Sequence, residues 1–253
     1  MTLRMADAAL ARNRAFYDPL WRATLLVPPE RFATWALLAP LLAAGGRRLE
    51  IGPGLRPRLP VTGTDFLDAS APAVAALARA GGRAVQGSAA WLPYPDAAFH
   101  LLVALDVIEH VGDDRAALAE LARVAAPGAA LLLSVPLDPG RWSRFDDTVG
   151  HCRRYRAETL VARLEGLGFA VEASGTCGMR PRWPWLVALG MWFLARQPRR
   201  AMWWYNRLLL PGALRAQVPL VLRAGFVPPD RRTDEVLLLL RRRDAAVPGI
   251  RGG

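Results

Sequence analysis

The sequence predicts an α/β domain built on a doubly wound, mostly parallel sheet of seven strands, with a helical segment ahead of it and a helical insert before its last strand. Three observations predict it. Short apolar runs alternate with amphipathic helical stretches from residue 47 to residue 177, the order that places helices on both faces of a parallel sheet. Gly81-Gly82 and Pro127-Gly128 punctuate that alternation where one element must stop and the next begin. A chain of 253 residues, 53% hydrophobic and 22% charged, is also long enough to bury one large core without covalent staples.

Residues 8–44 read as two helices parted by Pro28 and Pro29, the first carrying Leu10, Phe16, Tyr17 and Trp21, the second Phe32, Trp35, Leu38, Leu41 and Leu42. Strand 47–52 opens the sheet; strand 63–68, helix 71–80 and strand 83–88 follow. A loop then leads to strand 99–107, helix 113–125 and strand 129–137. After a long loop, 138–155, come helix 157–168 and strand 169–177, and strand 235–243 closes the sheet. The 57 residues at 178–234 exceed any simple sheet connection, and Pro198 divides their apolar stretch into two helices. The chain is thus expected to divide into an N-terminal helical segment (1–45), an α/β core (46–177), a Trp/Arg-rich insert (178–234) and a last strand with its tail (235–253).

Disorder, collagen and coiled coil are excluded by composition. Cys152 and Cys177 cannot form a disulfide framework or a Cys-rich zinc site, and no metal ligand set is expected. Arginines and aspartates stand where a signal peptide would need an apolar core, and the longest uncharged run, Phe32 to Gly46, is short of the roughly 20 residues of a membrane span. A cytoplasmic setting is expected. Net charge is +11, and every one of the 33 basic residues is arginine. Residues 1–179 hold 19 Arg against 18 acids, whereas 180–253 hold 14 Arg against 4, so the basicity is a C-terminal property. Trp183, Trp185, Trp192, Trp203 and Trp204 share that stretch, a composition suited to a surface that meets phosphates or lipid head groups.

Strand one runs into Glu50-Ile51-Gly52-Pro53-Gly54, a turn whose glycines let backbone amides approach a ligand at the carboxyl edge of the sheet. Pro57 stands where a G-x-G-x-x-G dinucleotide pattern wants its third glycine, which counts against nicotinamide or flavin. Asp68 ends strand two, Gly87-Ser88-Ala89 ends strand three, Trp91 to Phe99 introduces strand four, and Asp106-Val107-Ile108-Glu109-His110 leaves it. In this order and over roughly 45–177 plus 235–243, the series resembles the class I S-adenosylmethionine-dependent methyltransferases, especially the group acting in ubiquinone and menaquinone biosynthesis. The resemblance implies the Rossmann-like methyltransferase fold and S-adenosyl-L-methionine as cofactor. It implies that Glu50, Gly52 and Gly54 cradle the methionine moiety, that Asp68 rather than Asp65 holds the ribose hydroxyls, and that Ser88, Ala89 and Leu105 line the cofactor site, with Trp91 near the adenine. The chain departs from the pattern in its six-residue link LRPRLP where a full helix is usual, in Ser88 where an acid is usual, and in His100 for a common aspartate.

Methyl transfer from a sulfonium is an in-line displacement, so a base that unmasks the acceptor is the group to seek. His110, just past strand four, is read either as that base or as a packing residue of the next helix. His151 lies in a string, Asp146 to Tyr155, resembling the D-x-x-x-G-H-x-R-R-Y segment of methyltransferases acting on quinones, lipids and envelope sugars, and is the first choice for base. Asp146 and Asp147 are expected to orient it, and Arg153, Arg154 and Tyr155 to bind an anionic acceptor; a solvated basic helix start is the competing reading. Tyr17, with Phe16 and Trp21, is placed like the N-terminal lid of relatives and is expected to touch the acceptor. The expected reaction is O-methylation of a lipophilic or aromatic small molecule. The insert is read as a lid over a bulky acceptor or as an interfacial element on anionic lipid at the inner membrane face; an RNA methyltransferase and a non-catalytic relative are the alternatives.

Overall fold

The computed structural model describes residues 2–177, 184–228 and 234–244. Trp183 and the tail from 245 onward lie outside the described residues. Among the described residues eight strands form one sheet: β1 (Arg48–Ile51), β2 (Asp65–Asp68), β3 (Arg83–Gln86), β4 (Phe99–Leu105), β5 (Ala125–Pro136), β6 (Phe169–Cys177), β7 (Arg223–Ala224) and β8 (Glu235–Arg242), in the order β3-β2-β1-β4-β5-β8-β6-β7. β1 to β5 pair in parallel, while β8 enters antiparallel between β5 and β6. The eighth strand corrects the expected count of seven. β7 is two residues inside the insert, too short to leave a periodic pattern, and it forms because β6 offers an open edge at Ala173 and Ser174.

The strands bury residues on both faces, as a parallel sheet flanked by helices must. Leu102, Ala104, Leu131 and Leu133 face one layer with α4 (Asp114–Val124) and α6 (Ala157–Gly166). Leu101, Val103, Ala130 and Leu132 face the other, against Leu38 of α2 (Trp35–Ala43) and Leu59. Helix α4 begins at Asp113, whose side chain accepts from the Ala116 amide at 3.0 Å, and it buries Ala117, Leu118, Leu121 and Ala122, one stripe at helical spacing.

Chain order reverses at β1, with β2 on one side and β4 on the other, which opens a crevice at the carboxyl ends of these strands. Helix α1 (Thr2–Arg22) lies over that crevice, with the Arg14 Nε donating to the Ala69 carbonyl at 2.9 Å. Between β1 and β2 the short link carries no helix. Glu50, buried at the end of β1, accepts from the amides of Arg58 (2.8 and 3.0 Å) and Leu59 (2.9 Å), so its carboxylate stands in for a helix in satisfying that backbone; burial raises its pKa to about 7.

Downstream, α3 (Ala71–Arg79) joins β2 to β3, and α5 (Arg144–Val149) forms inside the loop after β5. The insert forms α7 (Pro184–Arg196), then α8 (Pro198–Trp204), which runs through a π turn at Tyr205–Leu209 into α9 (Leu210–Arg215). It is fastened to the N-terminal segment: Asn206 Nδ2 donates to the Ala23 carbonyl, Gln217 bridges Ala33 and Arg31, and Leu210 packs with Val27 and Phe32. Trp192, Trp203, Trp204, Leu208 and Leu209 stay exposed.

Candidate active site

The crevice is a cleft of roughly 750 Å³ of space between atoms, part of it open to solvent, running from Asp68 and Ser88 at one end to Tyr17 and His110 at the other. Gly52 holds φ +64°, and a Cβ there would stand 2.6 Å from Val107 Cγ2, itself a cleft residue, so only glycine keeps this turn open. At Gly54 an added Cβ would collide with the Trp21 indole.

Asp68 is buried at the end of β2 and lines the cleft. Its Oδ2 accepts from the Gly54 amide and its Oδ1 from the Ser70 amide, each at 2.8 Å, which leaves acceptor capacity on both oxygens for a vicinal diol. Burial pushes its pKa up to about 6. Asp65, the competing acid, is closed off by Arg47 (3.1 Å) and Arg83 (2.7 Å). Ser88 and Ala89 line the same end, whereas Glu50, Gly54 and Leu105 stand behind the wall. Leu105 gives way to Asp106 and Val107. Asp106 has φ +54°, a strained exit from β4 fixed by Ser134, whose Oγ donates to Asp106 Oδ1 at 2.8 Å. Trp91, 72% exposed, is outside the cleft, and His100 is an exposed residue of β4 beside Gly46.

At the other end, Tyr17 sits edge-on to His110 with ring centres 5.6 Å apart and stacks on Trp21. His110 in turn meets His151 edge-to-face at 4.7 Å. His110 lines the cleft; His151, buried, backs it. Burial, then the neighbouring His151, lower the His110 pKa to about 3, and burial lowers that of His151 against the pull of Asp146, so both rings are neutral near pH 7. Asp146 Oδ1 holds His151 Nδ1 at 2.8 Å. Burial opposes the charge on Asp146, but hydrogen bonds from Arg154, Ser143 and His151 keep its pKa at about 2. Asp147, by contrast, accepts from Trp142 Nε1.

The arginines and tyrosine expected to meet an acceptor are engaged inside the protein. Arg154, with 2% of its side chain exposed, donates to Asp146, Asp234 and the Leu137 carbonyl. Arg153 pairs with Asp114 and donates to the Gly112 carbonyl, and the Tyr155 hydroxyl donates to Asp114 at 3.2 Å. None of the three lines the cleft. Asp106 and Val107 are among the cleft-lining residues that sequence reasoning passed over, although the string leaving strand four already held them.

A family profile described as a methyltransferase domain matches residues 29–174, more than half of the chain. The chain belongs to that family. Among its relatives, a protein of Mycolicibacterium smegmatis named as a probable S-adenosylmethionine-dependent methyltransferase is 38% identical over 90 residues, 34% of either chain. The chain thus spans about a third of the length of the curated relatives it matches. In fold, this methyltransferase domain is similar to a [4+2]-cyclase (TM-score 0.54, 20% identity, 83% of this chain and 81% of the other). It is similar too to an S-adenosylmethionine-dependent methyltransferase of Thermotoga maritima (TM-score 0.53, 18% identity, 83% and 91%). The methyltransferase domain's residues fit S-adenosylmethionine: a Gly52 cradle that any Cβ would fill, and a buried acid, Asp68, with acceptor capacity for a ribose diol. An ionised Asp68 carboxylate that accepted from the ribose hydroxyls would make affinity for S-adenosylhomocysteine fall as pH drops through about 6, approaching tenfold per unit below it. Calorimetric titration across that range checks it; a flat profile removes Asp68 from the contact.

Proposed function

We propose that the protein is an S-adenosylmethionine-dependent methyltransferase acting on a hydroxyl of a lipophilic or aromatic small molecule. The observation that carries this reading is one continuous cleft with the buried acid Asp68 at one end and, at its other end, apolar walls (Leu10, Tyr17, Trp21, Val111) beside a neutral imidazole pair. When bound, the cofactor supplies a methyl on a positively charged sulfur, which leaves as a neutral thioether. The chain's own residues do the rest. Tyr17 and Trp21 bury the acceptor and exclude water from the line of displacement. His110, strongly desolvated, is a poor final seat for the acceptor's proton; His151, backed by the Asp146 carboxylate, stabilises an imidazolium and is the better one.

The acceptor's lipophilic character is supported by the exposed face of the insert. Trp203, Trp204, Leu208 and Leu209 lie beside Arg200 and Arg207 on the α8–α9 run, with Arg207 over the Trp203 ring at 5.3 Å, a pattern suited to the head-group layer of anionic lipid. No described helix is long and apolar enough to cross a membrane.

The test is an assay with a deuterium-labelled methyl donor against hydroxylated quinones, phenols and lipids, read by mass spectrometry. Label in an ether product is expected, and His151→Gln should lower kcat by roughly 10²-fold or more while leaving S-adenosylhomocysteine affinity unchanged. Label on nitrogen or carbon, or none with the cofactor bound, overturns the O-methylation reading.

A further inference from the structure

The Glu109 side chain is fully buried, and neither carboxylate oxygen has a hydrogen-bond partner. Buried polar atoms are rarely left so, and an orphaned carboxylate is the costliest kind. His110 Nδ1, also buried, is orphaned beside it. The third neighbour is His151, whose Nε2 is 3.9 Å from Glu109 Oε1, too far for a hydrogen bond, so protonating the carboxyl would not satisfy it there.

We propose that Glu109, His110 and His151 form a site for a divalent transition-metal ion, with an open position facing the cleft. One ligand atom from each of the three lies within 4.8 Å of the others. Tetrahedral metal bonds of about 2.0–2.2 Å set ligand atoms about 3.5 Å apart, so the widest pair needs to close by roughly an ångström or slightly more, within reach of side-chain rotation. The surroundings are those of a built site. His151 turns Nε2 inward because Asp146 holds Nδ1 at 2.8 Å, and Asp146 is itself fixed by Arg154 and Ser143, the carboxylate–histidine arrangement that orients metal-binding imidazoles. Asp106 and Glu235 add negative potential at Glu109, with the Arg154 guanidinium opposing them. Two imidazoles and one carboxylate suit zinc or cobalt better than magnesium or calcium, and three protein ligands leave a position for an oxygen. His110 borders the cleft, so an ion bound here would abut its acceptor end; with Nε2 on the ion and Nδ1 on Asp146, His151 would have no nitrogen left for the acceptor's proton, so its base role belongs to the ion-free protein. That exclusion rests on the proposed methyl transfer; the site itself does not. No metal ligand set was expected from the sequence, where the three residues lie in two loops some 40 positions apart.

The test uses the full chain, untagged, stripped with chelator and dialysed against zinc or cobalt. We expect one bound equivalent per chain by elemental analysis, a visible cobalt spectrum of a low-coordinate site, and a higher Tm with zinc than with chelator. Glu109→Gln and His151→Ala should each weaken binding at least tenfold and abolish the Tm shift, whereas His100→Ala should change neither. Stripped wild-type protein that takes up no zinc, cobalt or manganese, or a Glu109→Gln variant that folds and binds as wild type does, overturns the proposal. Metal content is read without cofactor or acceptor, and S-adenosylhomocysteine binding is measured on the same samples, so the two readings fail separately.

Discussion

Asp146→Ala is expected to destabilise the protein by about 3 kcal/mol or more, because it leaves a buried guanidinium short of its counter-charge. Arg154 reaches Asp146 through Nε at 2.8 Å and Nη2 at 3.1 Å, with 2% and 0% of the two side chains exposed, so solvent screens little of the pair. The same carboxylate accepts from the Ser143 amide and hydroxyl and holds His151. Its loss therefore frees the start of α5, the His151 ring and the anchor between this loop and Asp234 together. Asp146 releases its proton more readily in the folded protein, at about pH 2 against about 3.9 unfolded, so its contribution is complete above about pH 4 and lost as pH falls towards 2. Urea unfolding of wild type, Asp146→Ala and Asp146→Asn at neutral and acid pH measures this. A difference under about 1 kcal/mol between wild type and Asp146→Ala at pH 7 would show that another contact organises the loop.

Asp68→Ala is expected to weaken S-adenosylhomocysteine binding by roughly 10²-fold or more. Two hydroxyl donors on a buried carboxylate are worth about 1.5–3 kcal/mol each, and alanine replaces neither. The variant also releases the Gly54 amide, loosening the turn that forms the cradle. Asp68→Asn, which keeps one acceptor oxygen, should fall between. Asp65→Ala supplies the contrast: it breaks the pairs with Arg47 and Arg83 and costs stability, yet leaves affinity alone because that acid is closed off from the cleft. Titration calorimetry on folded samples decides, and equal loss from Asp65→Ala and Asp68→Ala would mean that a general weakening of β2 is being measured.

The [4+2]-cyclase among the structural neighbours shows why the fold leaves the reaction open: a crevice at the strand ends accepts many chemistries, and the side chains that line it choose among them. Here those side chains were legible in unequal measure. The strand-end positions Gly52, Asp68 and Ser88 followed from the order of elements, because the carboxyl ends of neighbouring parallel strands share one edge. Arg154 and Tyr155, expected as acceptor contacts, are engaged within the fold, and an arginine that meets a ligand is written with the same letter as one that braces a loop. Their partners, Asp234 and Asp114, are 80 and 41 positions away.

What the sequence determined by itself is therefore local: the alternation of β1 to β5 with their helices, the glycine turn, the break at Gln197 before Pro198, and the concentration of arginine and tryptophan in the insert. Each depends on periodicity or backbone geometry within about ten residues. Only the tertiary structure decided that Glu109 is buried without a partner, that His151 stands behind His110 rather than at the cleft, and that a two-residue eighth strand completes the sheet. Burial, orphaned charge and edge pairing are properties of what the rest of the chain brings alongside, and no window of sequence around those residues contains it.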